Sequence, residues 1–245
     1  GKEGVGKMAY PLNLSVKNLY VFFWMPTLCY QLNYPRTQTI RAGWLLRRVL
    51  EFLVLSILIW GISVQYILPI VQKTPDAIRD GNWGYLLERL LKLSAPNLYV
   101  WLTGFYVIFH VYLNILAEVT YSGDRLYYGD WWNATTLEYF WKNWNLPVHR
   151  WLVNYVYIPS LQAGFPKWVA YVLVFFVSAV FHELIVAVAF KTLRLWAFWA
   201  MFLQIPLIRL TRGTKGHAAG NIVFWLSIAL GQAFCVMMYY NYNIS

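Results

Sequence analysis

Residues 168–190 read WVAYVLVFFVSAVFHELIVAVAF. Apart from Ser178, His182 and Glu183 the run is apolar throughout. At a rise of ~1.5 Å per residue it makes a helix about 34 Å long, enough for a hydrocarbon core of about 30 Å. The run therefore predicts a membrane-crossing helix, and reading outward from it finds four more. Residues 49–71 follow the Arg47-Arg48 pair, and residues 98–120 form the next apolar stretch. Residues 193–210 are shorter and carry Pro206, and residues 219–240 form the last span. The expected fold is all-α, a polytopic transmembrane helix bundle occupying residues 1–245.

Composition points the same way. The chain is 60% hydrophobic and only 12% charged, with a mean hydropathy of +0.46. Soluble domains hold about 45–50% apolar and about 25% charged residues. Fourteen Trp and 19 Tyr suit aromatic belts at the membrane surface. A net charge of +10 calls for an anionic partner. Nucleic acid is not that partner, because the basic residues flank apolar spans and form no single stripe. Cys29 and Cys235 lie far apart with no metal-ligand spacing, so no disulfide and no metal site are expected. The chain starts at Gly1 and shows no signal-peptide pattern, which suggests a fragment of something longer.

Residues 121–167 are rich in Trp, Tyr and Asn but too interrupted to span, and read as interfacial helices. Thr135 and Glu138 have capping-box spacing, and Pro147 is expected to stop that helix. Residues 72–97 read as a polar, charged connection. Lys and Arg number seven in residues 1–48, four in 121–167 and three in 209–215, fourteen on one side against six on the other. The positive-inside rule places the Trp-rich segment in the cytosol.

Ionisable and amide groups at membrane depth are costly, so each is a functional candidate. His182 lies about 21 Å into its span, with Ser178 on the same helix face four residues before it. Gln232 reaches about 20 Å and Gln204 roughly 14 Å from the cytosolic side by the same rise. His110, Asn114 and Glu118 form an i, i+4, i+8 stripe. Together these groups suggest a buried polar chamber. The plainer alternative is that Asn114, Gln204 and Ser178 only join helices by hydrogen bonds, and that His110 is a packing histidine. Glu183, about 100° round the helix from His182, is expected to pair with a neighbouring helix.

The segment Tyr127-Tyr128-Gly129-Asp130-Trp131-Trp132-Asn133 resembles the FYxDWWN signature of the membrane-bound O-acyltransferase family, with Tyr127 in place of the first Phe. NWNLPVHRW at 143–151 and SAVFHE at 178–183 resemble the same family. PTLCYQLNYPR at 26–36, LWAFWAMFLQIPL at 195–207, and the GQ and MMYY of 221–240 look like its diacylglycerol branch more than its sterol branch. The likeness covers about residues 9–240, and implies that a cytosolic region and further transmembrane helices precede the chain.

What the resemblance implies is transfer of a fatty acyl group from acyl-CoA to the hydroxyl of diacylglycerol, giving triacylglycerol. It assigns the base to His182, with Asn133 as a second catalytic or positioning group. N-capping of the following helix is the structural alternative for Asn133. Gln232 is the candidate for polarising the thioester carbonyl. Acyl-CoA is a co-substrate and no cofactor is expected. Tyr128, Asp130, Trp131 and Trp132 of the signature, His149, Arg150, and the deeper Asn114, Gln204 and Ser178 are the expected substrate contacts. Trp131 and Trp132 read equally as interface anchors. The implied partners are acyl-CoA, diacylglycerol, the bilayer and a second copy of the protein, and the implied location is the endoplasmic reticulum membrane. A sterol or wax-alcohol acyltransferase is the rival enzyme. A transporter or scaffold subunit is the rival from another class, although no inverted repeat is visible.

Overall fold

The computed structural model describes residues 9–75 and 80–244, with side chains to Asn241. Lys2, Lys7 and Arg79 of the basic count lie outside the described residues, as does Gly1. The described chain is helical, and its strand-like pairing is one antiparallel bridge between Arg36 and Ser122.

Among the described residues four helices are long and apolar enough to cross a membrane: α2 (Ala42–Gln72), α3 (Trp83–Val119), α6 (Lys167–Phe190) and α9, which spans over Ala218–Asn241. The helix α1 (Val16–Trp24) precedes them, N-capped by Ser15. Between the second and third spans lie α4 (Leu137–Trp144) and α5, which begins at Leu146–Leu152 and continues to Gln162. Two short helices, α7 (Trp196–Phe202) and α8 (Gln204–Leu210), separate the last two spans. Wider π-type turns interrupt the ladders at Ser63–Ile67, Tyr106–Tyr112 and Val153–Tyr157.

Four expectations are corrected. The second span starts at Trp83 and not at Leu98. Asn82 caps it by accepting from Tyr85 N, and Glu88 pairs with Lys92 along the surface. Those charges break the apolar run but not the helix, and the turn before Pro96 is the only place where proline interrupts it. Residues 193–210 do not form one span. They break at Leu203, and Pro206 sits in the first turn of α8, where its missing N–H costs nothing. In the interfacial segment the cap is Thr136, accepting from Tyr139 N, while Thr135 turns to accept from Gly216 N. Pro147 opens α5 behind the cap of Asn145 and does not stop α4, which has already ended at Trp144.

The packed core is small and sits in three places. Phe105, Trp131, Ala134, Phe140 and Phe224 centre an aromatic cluster where α3, the signature turn, α4 and α9 meet. Val71, Leu93, Ala233 and Met237 tie α2, α3 and α9. Phe175, Ala179, Met201 and Ile208 tie α6 to α7 and α8. Elsewhere Leu, Ile, Val and Phe point outward along every span, Ile57 and Val188 among them. Such a surface is stable against lipid or protein and not against water.

Candidate functional site

His182 projects from α6 and is exposed. Its Nδ1 lies 2.7 Å from the Ser178 carbonyl and 3.5 Å from Ser178 Oγ. A carbonyl only accepts, so this contact uses a proton on Nδ1, and in a neutral ring the lone pair then lies on Nε2. The edge of Trp141, on α4, faces the imidazole at 6.5 Å between ring centroids. Trp141 Nε1 donates to Gln204 Oε1 at 3.4 Å, and Gln204 Nε2 donates to the Ala200 carbonyl at 3.1 Å. Ser178, His182 and Gln204 are thus brought together, and Trp141 is the residue that joins them. Its spacing placed it only on an interfacial helix, because nothing local records which helix a distant indole will meet.

Among the described residues the single polar chamber expected from depth is not formed; the polar groups fall into separate sets. Asn114 donates to the His110 carbonyl of its own helix at 2.7 Å. Gln232 is half-buried on α9, next in sequence to Ala233 of the Val71–Leu93 cluster, and its side chain hydrogen-bonds nothing among the described residues. Depth along a helix fixes level but not azimuth, and these side chains look toward different neighbours.

A second set lies on α3. His110 Nδ1 meets Tyr128 Oη at 2.9 Å, and its ring stacks on Tyr106 at 4.8 Å. The Tyr106 hydroxyl donates to Glu51 at 2.8 Å, and Arg48 holds the same carboxylate at 2.6 Å. Glu118, with a fully buried side chain, accepts from Arg41 N, Nε and Nη2 and from Arg125 Nη2, at 2.6–3.0 Å. The guanidiniums of Arg41, Arg48 and Arg125 all lie over Trp44, at 4.8–5.3 Å. The stripe residue Glu118 is therefore a clamp between α2, α3 and the segment leading to the signature.

Most of the signature packs. Tyr127 and Trp131 are buried, 3% and 2% exposed, so Trp131 is neither anchor nor open contact surface. Burial pushes the Tyr127 hydroxyl pKa well up. A Cβ on Gly129 would sit 2.5 Å from Asn143 Oδ1, which is why this position lacks a side chain. Trp132 is exposed and its carbonyl accepts from Asn221 and from Trp225 Nε1. Asp130 accepts from the Tyr139 hydroxyl, and Asn133 also bonds it, so Asn133 closes its own turn and caps no following helix.

His149 is half-buried on α5, and Arg150 is exposed and paired with Asp124 at 3.2 Å. Arg150 lines a narrow cleft of about 80 Å³ between residues 26–35 and the signature segment, with Tyr34, Tyr127 and Asn154. That volume holds a few waters and not a nucleotide. Among the described residues no three His, Cys, Asp or Glu side chains gather around a metal-sized point, and Cys29 and Cys235 are free thiols.

Comparison with known proteins adds a second line of observation. A family model described as MBOAT, membrane-bound O-acyltransferase family, matches residues 10–241. The chain is 51% identical over 232 residues to diacylglycerol O-acyltransferase 1 of Dictyostelium discoideum, covering 94% of this chain and 38% of the relative. It is 47% identical over 239 residues to diacylglycerol O-acyltransferase 1A of Glycine max, with 96% and 48% covered. It is 45% identical over 236 residues to diacylglycerol O-acyltransferase 1 of Homo sapiens, with 95% and 48% covered. The chain therefore spans less than half the length of the curated relatives it matches.

Proposed function

The chain belongs to the membrane-bound O-acyltransferase family, and from that premise we propose that its protein transfers a fatty acyl group from acyl-CoA to diacylglycerol, with His182 as the general base. The observation that carries the reading is the 2.7 Å contact of His182 Nδ1 with the Ser178 carbonyl. Its Nδ1–H is spent on the Ser178 carbonyl, and the exposed ring leaves Nε2 open to a substrate hydroxyl. A neutral imidazole so oriented takes the hydroxyl proton. The alcohol oxygen adds to the thioester carbonyl, the tetrahedral intermediate collapses, and the imidazolium returns its proton to the departing CoA thiolate. Direct transfer of this kind needs no acyl-enzyme.

The printed names of the relatives support the substrate pair, since each is a diacylglycerol O-acyltransferase. The same reading carries the endoplasmic reticulum membrane as location and self-association of the whole protein.

In the full-length protein, His182→Ala leaves expression intact and abolishes acyl transfer, a loss of at least roughly 100-fold for a lost general base. Labelled acyl-CoA supplied with diacylglycerol, a sterol and a wax alcohol gives triacylglycerol as the main ester. Retained activity in His182→Ala sinks the base, and a sterol or wax ester as main product sinks the acceptor.

A further inference from the structure

Glu183, next to His182 and 3% exposed, holds a carboxylate at membrane depth that the reaction above does not use. Burying it is expensive unless every lone pair is matched. Here the matching is complete and consists mainly of backbone. Oε1 accepts from Arg194 N at 3.0 Å and Leu195 N at 2.8 Å. Oε2 accepts from Phe198 N at 3.2 Å and from the Tyr239 hydroxyl at 3.4 Å. Tyr239 Oη in turn accepts from Ala197 N at 2.9 Å.

These donors are the first N–H groups of α7 and the residues leading into it, which otherwise have no side-chain cap. The chain enters α7 through a reversal with two left-handed residues, Lys191 at φ 51° and Leu195 at φ 61°. A branched, bulky residue such as Leu195 keeps that conformation only where its surroundings over-determine it. Glu183 and Tyr239 supply that constraint from α6 and α9. Beyond Leu203, α7 continues into α8 and its first residue, Gln204, whose amide holds Trp141 against His182. The carboxylate beside the histidine thus fixes, the long way round, the wall that faces the histidine.

We infer that Glu183 is a positioning residue for the proposed acyl transfer: it sets α7 and α8, and through Gln204 and Trp141 it sets the environment of His182. The inference rests on the reading of His182 given above. Because both oxygens are occupied by backbone and phenol donors, Glu183 is not a proton partner of His182.

The test compares Glu183→Ala, Glu183→Gln, Tyr239→Phe and His182→Ala in the full-length protein, reading kcat, KM for acyl-CoA, the pH profile and thermal stability. Glu183→Ala folds and loses roughly 100-fold in kcat, the scale of a 1 Å misplacement, with KM nearly unchanged. Glu183→Gln keeps one accepting oxygen and recovers to within roughly tenfold of the parent, the scale of one or two lost hydrogen bonds. Tyr239→Phe falls between the parent and Glu183→Ala, and all active variants keep the parental pH profile. A displaced profile in Glu183→Gln overturns the inference, as does parental kcat in Glu183→Ala. Should Glu183→Ala not fold, parental kcat in both Glu183→Gln and Tyr239→Phe overturns it. If His182→Ala remains active, the reading of the site fails. If His182→Ala is inactive while the other variants match the parent, only the role of Glu183 fails.

Discussion

His149 lies half-buried on α5, outside the spans, and burial pushes its pKa down, with Lys142 and Arg150 pushing the same way. The fold therefore holds the neutral ring. Its stabilising contribution is complete above the ordinary histidine value of about 6.5 and is lost as pH falls through the lower folded value. The folded protein accordingly melts at a lower temperature at pH 5.5 than at pH 7.5, and His149→Gln, which cannot charge, shows a smaller drop. Equal drops in thermal denaturation of the two proteins would remove His149 from this account. At the same scale, spacing singled out His182 as a polar group at membrane depth but not what surrounds it. The i, i+4 relation already put Ser178 under His182. Whether Ser178 contributes its hydroxyl or its carbonyl is a matter of rotamer, and the carbonyl is the nearer by 0.8 Å (2.7 against 3.5 Å).

Elements in this chain are held at their ends more than along their lengths. Glu118 joins the end of α3 to the start of α2 and to Arg125. Removing it as Glu118→Ala leaves two guanidiniums without their anion. The expected cost is about 1–3 kcal/mol, kept low because Arg41 is largely solvated. It is read as earlier unfolding in detergent. Gly220, in the first turn of α9, is a second such joint. A Cβ there would lie 2.4 Å from the Thr135 carbonyl and 2.8 Å from Thr214 Oγ1. Since the carbonyl is backbone and cannot swing aside, Gly220→Ala pushes α9 off the signature turn at about 1–3 kcal/mol, again measured by thermal denaturation. An unchanged melting temperature would show that the joint gives more easily than backbone should. Neither joint is legible in sequence. Residues 118 and 41, or 220 and 135, are far apart along the chain, and a glycine near a helix start has many possible reasons. The spans themselves were legible, because about 20 apolar residues in a row have one economical conformation in lipid. Their ends were less so: Arg89 and Lys92 ended the apolar run while the α3 helix continued through them, and Leu203 broke a run that hydropathy alone keeps whole.

Across the whole molecule the Arg–carboxylate clamps and threonine contacts named next lie at one end. The Arg41–Glu118–Arg125 clamp, the Thr135–Thr214 contact and the Arg212–Glu138 pair at 3.4 Å gather the starts and ends of α2, α3, α8 and α9 beside the signature segment. The opposite end carries the α6–α7 reversal at Lys191. Among the described residues the Lys and Arg follow this division by segment, twelve of seventeen falling in the stretches on the signature side. Because short cytosolic loops collect Lys and Arg, the prediction is that the end with the signature faces the cytosol. That is also the side from which an anionic thioester would be delivered, and His182 then lies about 22 Å inward along α6 from Lys167. The orientation yields a test independent of catalysis. Single cysteines replacing Lys215 and Lys191, in a background with Cys29 and Cys235 changed to Ser, are treated with a membrane-impermeant maleimide in sealed microsomes. Position 215, on the turn that Thr135 holds, labels from outside the vesicle, and position 191 labels only after the membrane is opened. The reverse pattern would place the signature across the membrane from the cytosol. The charge division would then have to arise from packing at the clamps and not from the direction of insertion.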